Sequence, residues 1–125
     1  MLPLRFPKVW AAAGWLLVAG VIVGSLIPGQ ALEGIHTSDK VLHAGAYFVL
    51  MVWFAGFYRR GAYPLIAVVL LALGAALELL QGLTQTRTTD WSDLVANGAG
   101  ALAGLVLSAS LLGGWCQRLE QRLLS

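Results

Sequence analysis

The chain has 125 residues, of which 58% are hydrophobic and 11% charged, whereas a soluble domain carries roughly 25% charged residues. One domain's worth of chain with so little polar surface excludes a soluble globule, and the mean hydropathy of +0.77 agrees. The formal net charge of +2 is too small to suggest nucleic acid, and the lone Cys116 excludes an internal disulfide.

Four segments qualify as transmembrane helices, each with about the 20 mostly apolar residues needed to cross a hydrocarbon core. They are 9–27, 41–58, 64–83 and 94–115, punctuated by Pro28, Gly61, Gly82 and the polar run 84–92. The predicted fold is therefore all-α: a polytopic membrane protein forming one domain over 1–125, with sequential helices as antiparallel neighbours in an up-down bundle. Arg5 and Lys8 before the first run, with Gly29-Gln30-Ala31 after it, resemble a secretory signal. The run is longer than the usual h-region of 7 to 15 residues, so it is expected to remain as an anchor. The second segment is the shortest and the most interrupted by polar groups.

Arg5, Lys8, Arg59, Arg60, Arg118 and Arg122 all fall on one side of this arrangement, and only Lys40 and Arg87 on the other. Short loops rich in Lys and Arg stay in the cytoplasm, so both termini and the loop around Arg59 are expected inside. Trp10, Tyr58, Tyr63 and Trp115 mark the inner boundary and Trp91 the outer one, as aromatic side chains that prefer the headgroup layer should. Gly20-x-x-x-Gly24 and Gly100-x-x-x-Gly104 would allow close helix contact. In a glycine-rich chain either pair can also arise by chance.

Most acids avoid the cytoplasmic side. Glu33, Asp39, Asp90 and Asp93 lie in or beside the outer loops, Glu78 lies inside the third helix, and Glu120 alone is plainly cytoplasmic. Residues three or four apart share a helix face. That spacing aligns Asp39, His43 and Tyr47 on the second helix, Glu78 and Gln81 on the third, and Asp90, Asp93 and Asn97 at the start of the fourth. At 1.5 Å per residue, Glu78 falls about 7 Å below the outer end of its helix, and His43 and Asn97 about 6 Å below theirs. A carboxylate at that depth costs on the order of 2.5 to 3.5 kcal/mol unless it is protonated or paired. Glu78 should face the bundle interior, with His43, Tyr47, Gln81 and Asn97 as partners and Lys40 or Arg87 reaching down from the rim.

Each residue also has a plainer reading. Ser38, Asp39, Ser92 and Asp93 stand where helices begin and suit N-terminal capping. The openings Ser38-Asp39 then His43, and Ser92-Asp93 then Asn97, hint at a duplicated hairpin. His43 is open between metal ligand, proton carrier and hydrogen-bonding core residue. Asp39, His43, Glu78 and Asp93 would suit a divalent ion, but no HExxH-like motif is present, so no metal and no cofactor are expected. Ser25 lacks the G-x-S-x-G elbow of a serine hydrolase and is read as a helix-end residue near Pro28. Arg87 suits either an oxyanion from the outer leaflet or an ion pair with Asp90.

The ordered set Ser25-Leu26-Ile27-Pro28, Asp39-Lys40-x-x-His43 with Tyr47, Glu78-x-x-Gln81, Arg87-x-x-Asp90 and Asp93-x-x-x-Asn97-x-x-Gly100 resembles the VanZ-like membrane proteins over nearly the whole chain. The resemblance implies a bacterial cytoplasmic (inner) membrane protein, in a family sometimes linked to lowered susceptibility to teicoplanin, a glycopeptide antibiotic. The leading expectation is a cell-envelope accessory protein. It would recognise a lipid-linked cell-wall precursor or anionic lipid at the outer leaflet through Lys40, His43, Tyr47, Glu78, Gln81, Arg87, Asp90, Asp93 and Asn97. One alternative is an intramembrane enzyme acting on a lipid headgroup or phosphoester, with Glu78, His43, Asp39 and Asp93 as acid-base candidates. The other is a structural or partner-binding membrane subunit whose polar layer is a clamp.

Overall fold

A computed structural model describes residues 2–26, 39–84 and 91–124, and no strand occurs among them. Five α-helices follow one another: α1 (Pro7–Leu26), α2 (Asp39–Ala55), α3 (Tyr63–Thr84), α4 (Trp91–Leu107) and α5 (Trp115–Leu124). A 3₁₀ turn, Arg60–Ala62, leads into α3, and a π-helical segment, Ser108–Leu112, extends α4. Spans Pro7–Ser25, Arg60–Leu80 and Ser92–Leu112 are long and apolar enough to cross a membrane. The 17 residues of α2 rise only about 25 Å, short of a hydrocarbon core about 30 Å thick.

The distribution of side chains is inside-out relative to a soluble protein. Leu16, Val23, Leu65, Val68, Leu83, Val95 and Leu111 stand on the outside, while Glu78, Asp93, Asn97 and Ser108 are buried. Apolar exteriors of this extent seek lipid, and an ionisable group in a spanning helix turns to the bundle interior. The chain is a helical membrane protein.

Helix α2 is short yet central, supplying Tyr47, Leu50, Met51, Phe54 and Ala55 to the core. Its most extensive contact is with α4 rather than with a sequence neighbour. The two helices run parallel: Gly100 lies directly on the Ala44 backbone, and a Cβ at Gly104 would stand 2.8 Å from Met51 Cβ. Missing side chains let these backbones meet, and van der Waals contact supplies the attraction that lipid does not. Gly20 and Gly24 share the same spacing but have nothing within 4 Å of a would-be Cβ among the described residues. The opposed numbering of contacts makes α1 antiparallel to α2, with Gly14 against Phe54 and Trp53, and α3 antiparallel to α4, with Gly74 against Asn97.

The expected fourth helix, 94–115, divides. Its regular part ends at Leu107, the π-helical turns run to Leu112, and the chain reverses at Gly113-Gly114. Gly114 has φ of 73°, a left-handed conformation that glycine enters without steric cost. The short helix α5 that follows is strongly amphipathic. Cys116 and Glu120, one turn apart, face the bundle, while Leu119 and Leu123 are exposed, a pattern suited to the membrane interface.

Glu120, expected as a plain cytoplasmic acid, is buried instead and ties the two ends of the chain together. Its carboxylate accepts hydrogen bonds from Arg5 N (2.7 Å), Phe6 N (3.0 Å) and Trp10 Nε1 (2.8 Å), serving donors left free at the start of α1. Burial alone would raise its pKa. The three hydrogen bonds and the Arg5 charge outweigh burial and hold the carboxyl below the usual range. Beside it, burial and then the Glu120 charge push the Cys116 thiol up to about 12, which leaves it inert as a nucleophile. Trp10, Trp53 and Trp115 pack mutually, with ring centroids 5.1 to 5.8 Å apart. Two of these indoles bond backbone carbonyls, Trp53 Nε1 to Trp10 O and Trp115 Nε1 to Val52 O.

Candidate functional site

At the end of the bundle away from these tryptophans, three helices each turn a short polar stripe inward. His43 and Tyr47 are one turn apart on α2, Gly74 and Glu78 on α3, and Asp93 and Asn97 on α4. The close α2–α4 contact at Ala44 and Gly100 brings the first and third stripes together.

The layer has a rim and a floor. At the rim His43 Nδ1 stands 3.5 Å from Asp93 Oδ1, with side chains 14% and 13% exposed. Tyr47, Glu78 and Asn97 form the floor, each at most 3% exposed. Gly74 makes room for them, since a Cβ there would stand 2.7 Å from Asn97 Nδ2 and 3.3 Å from Tyr47 Oη. Glu78, 3% exposed and one turn beyond Gly74 on the same face of α3, turns toward the same interior.

Two atoms in this layer, His43 Nδ1 and Asn97 Oδ1, are buried without a hydrogen-bond partner among the described residues. An unsatisfied buried polar group costs roughly 1 to 3 kcal/mol. A set of donors and acceptors that do not fully satisfy one another, in a water-poor interior, is chemically suited to gripping a polar group that enters from the rim. The His43–Asp93 contact also sets an imidazole beside a carboxylate, a pairing that acid-base chemistry uses. Among the described residues no group of three or more His, Cys, Asp or Glu could hold a metal ion.

Of the residues singled out from sequence, His43, Tyr47, Glu78, Asp93 and Asn97 are thus brought into one cluster. Asp39 and Lys40 open α2, and Gln81 lies one turn before the end of α3. The side chains of these three are outside the described set. Arg87 and Asp90, and the capping candidate Ser38, lie outside the described residues altogether. Helical spacing missed two features. One is the direct His43–Asp93 contact across helices. The other is Gly74, whose signal was its position four residues before Glu78 on the same face.

A family model described as VanZ/LLP1 matches residues 6–112. No curated protein and no solved structure matches the chain. The match takes in α1 to α4, the π-helical turns and the whole polar layer, and stops short of α5 and Glu120. With most of its length covered, and with the inward-facing polar layer inside the matched region, the chain belongs to the VanZ/LLP1 family.

Proposed function

We propose that the protein is a cell-envelope accessory protein of the bacterial cytoplasmic membrane whose polar layer recognises the polar group of a lipid-linked or cell-wall component. Four crossings by α1 to α4, with both termini in the cytoplasm, open the layer toward the outer leaflet. The concentration of Arg5, Lys8, Arg59, Arg60, Arg118 and Arg122 at the opposite end supports that orientation. His43 and Asp93 at the rim meet the ligand first, Glu78, Asn97 and Tyr47 orient it, and Lys40 and Arg87 draw in its anionic part.

The observation that carries this reading is the burial of Glu78, Asn97 and the His43–Asp93 pair in one layer of an otherwise apolar bundle. Membership in the family fits an envelope role in general, and influence on glycopeptide susceptibility is the specific phenotype to examine. Glu78→Gln and Asp93→Asn variants that insert and fold normally are expected to lose the response to teicoplanin or to envelope stress. Full activity in both variants would sink the reading.

A second reading rests on the His43–Asp93 contact alone: the imidazole serves as general base, taking the proton of a water that attacks a headgroup ester and releases its alcohol, with Asp93 beside it. Purified protein would then convert extracted envelope lipids, and His43→Gln would abolish the conversion. Unchanged lipids with wild-type protein rule this reading out.

A further inference from the structure

At the end of the bundle opposite the polar layer, a cavity of about 350 Å³ lies between the start of α3 and the π-helical end of α4. Arg60 and Arg118 both line it, with Tyr58, Tyr63, Ser108 and Gln117 among its other walls, and none of its lining residues is acidic. The Tyr63 ring stands in the same wall as both arginines. Its hydroxyl donates to Ala55 O at 3.0 Å, which fixes its place in the wall.

Arg118 is held by its own hydrogen bonds, from Nη1 to Gly113 O (2.7 Å) and from Nη2 to Leu111 O (3.1 Å). It satisfies carbonyls freed where the π-helical turns end and still has donors to spare, since a guanidinium carries five. Ser108, 2% exposed, adds a buried hydroxyl without a partner among the described residues. A positive loop at a membrane face needs no such construction. Arg59 and Arg122, like Arg60 and Arg118 exposed, satisfy the same charge rule without lining the cavity.

A second hollow points to the kind of anion. An almost wholly apolar groove of about 330 Å³ runs between α1 and α3, lined by Trp15, Val18, Leu65, Val69 and Leu73, and Tyr58 belongs to the walls of both hollows. Phosphate chemistry thus lies next to hydrocarbon chemistry. We propose that the Arg60–Arg118 cavity holds the phosphate of an anionic phospholipid headgroup, with the adjoining groove taking an acyl chain. Basic pockets between transmembrane helices bind anionic headgroups in this way. The site is separate from the polar layer, and nothing in it depends on the role assigned there.

Titration of the full-length protein in detergent with phosphatidylglycerol, phosphatidylcholine or inorganic phosphate, read by native mass spectrometry, tests the assignment. The wild type is expected to prefer phosphatidylglycerol, and Arg60→Gln and Arg118→Gln each to weaken that lipid's binding about fivefold, the effect of one basic side chain at a membrane surface. The doubly substituted control Arg59→Gln/Arg122→Gln should leave it nearly unchanged, because neither residue lines the cavity. Because Arg118 also supports the fold, Arg60→Gln decides the matter. An unchanged affinity in Arg60→Gln overturns the proposal, as does an equal loss in the control, which would mean diffuse attraction only. Inorganic phosphate binding as tightly as the lipid would assign the cavity to a free phosphate and remove the lipid.

Discussion

His43 and Asp93 reach each other across helices that are far apart in sequence, and the contact at 3.5 Å is long for a hydrogen bond. A contact this loose leaves His43 Nδ1 without a hydrogen-bond partner among the described residues, as the proposed entry at the rim requires. Gly74 tests the floor without altering any charge. In Gly74→Ala the new methyl must displace the Asn97 amide and crowd Tyr47. A side-chain end can move, so the stability loss should stay near the low end of the 1 to 3 kcal/mol typical of overpacking. The envelope phenotype should fall as far as it does in Asp93→Asn. A normal phenotype with shifted Asn97 would show that the floor is not used.

Glu120 gives a second residue-level expectation, in pH. Its carboxyl is held below the usual range, so its contribution is fully present above the ordinary value of about 4.3 and is lost as pH falls through the lower folded value. Fluorescence of the Trp10–Trp53–Trp115 cluster should change over that acid window in the wild type. In Glu120→Gln it should start nearer its acid form and vary little with pH. Identical acid profiles would remove Glu120 as the link between the chain ends.

Among the helices, the interface between α2 and α4 carries the fold. Gly100 rests on the Ala44 main chain, which cannot swing aside as a side chain can. Gly100→Ala must force the two helices apart and should cost 3 kcal/mol or more of stability, at or beyond the upper end of ordinary overpacking. Gly20→Ala, with open space around it among the described residues, should not destabilise the protein and should gain up to about 1 kcal/mol from helix propensity. Unfolding of both variants in mixed micelles, followed by circular dichroism, gives the comparison. Equal losses would refute the close contact.

Those two glycine pairs also mark what the sequence could convey. Gly20-x-x-x-Gly24 and Gly100-x-x-x-Gly104 have the same spacing, yet only the second meets a neighbour among the described residues. Periodicity fixes which residues share a face, but not how that helix is rotated about its axis toward another. For the same reason the stripes of His43, Glu78 and Asn97 were legible while the cross-helix contact of His43 with Asp93 was not. Helix α5 escaped because it is short and polar on one side, so hydropathy ends the preceding span at its first residue, Trp115, and reads the rest as a polar tail. Gly113-Gly114 was the available sign of the break. Glu120 is harder to foresee, since its partners Arg5, Phe6 and Trp10 lie at the far end of the chain.

At the scale of the whole molecule, an apolar exterior encloses two polar regions at opposite ends. One is anchored by Glu120 and the tryptophans, and the other is the His43–Asp93 layer. At the first end the docked face of α5 should be unreactive: Cys116, buried and with its thiol pushed up to about 12, should resist maleimide in the folded protein and react fully after denaturation. Rapid labelling in the native state would mean that α5 is undocked. The second end is where the proposed function lies, and it combines a partly exposed rim with His43 Nδ1 and Asn97 Oδ1, buried without partners among the described residues.

Native mass spectrometry of the protein extracted with its own membrane lipids puts that assignment to the test. The wild type and Arg60→Gln/Arg118→Gln should both retain a cell-derived polar lipid or envelope precursor that Glu78→Gln and Asp93→Asn lose while keeping native helicity. Retention of the same species by all four proteins would contradict a ligand site in the polar layer.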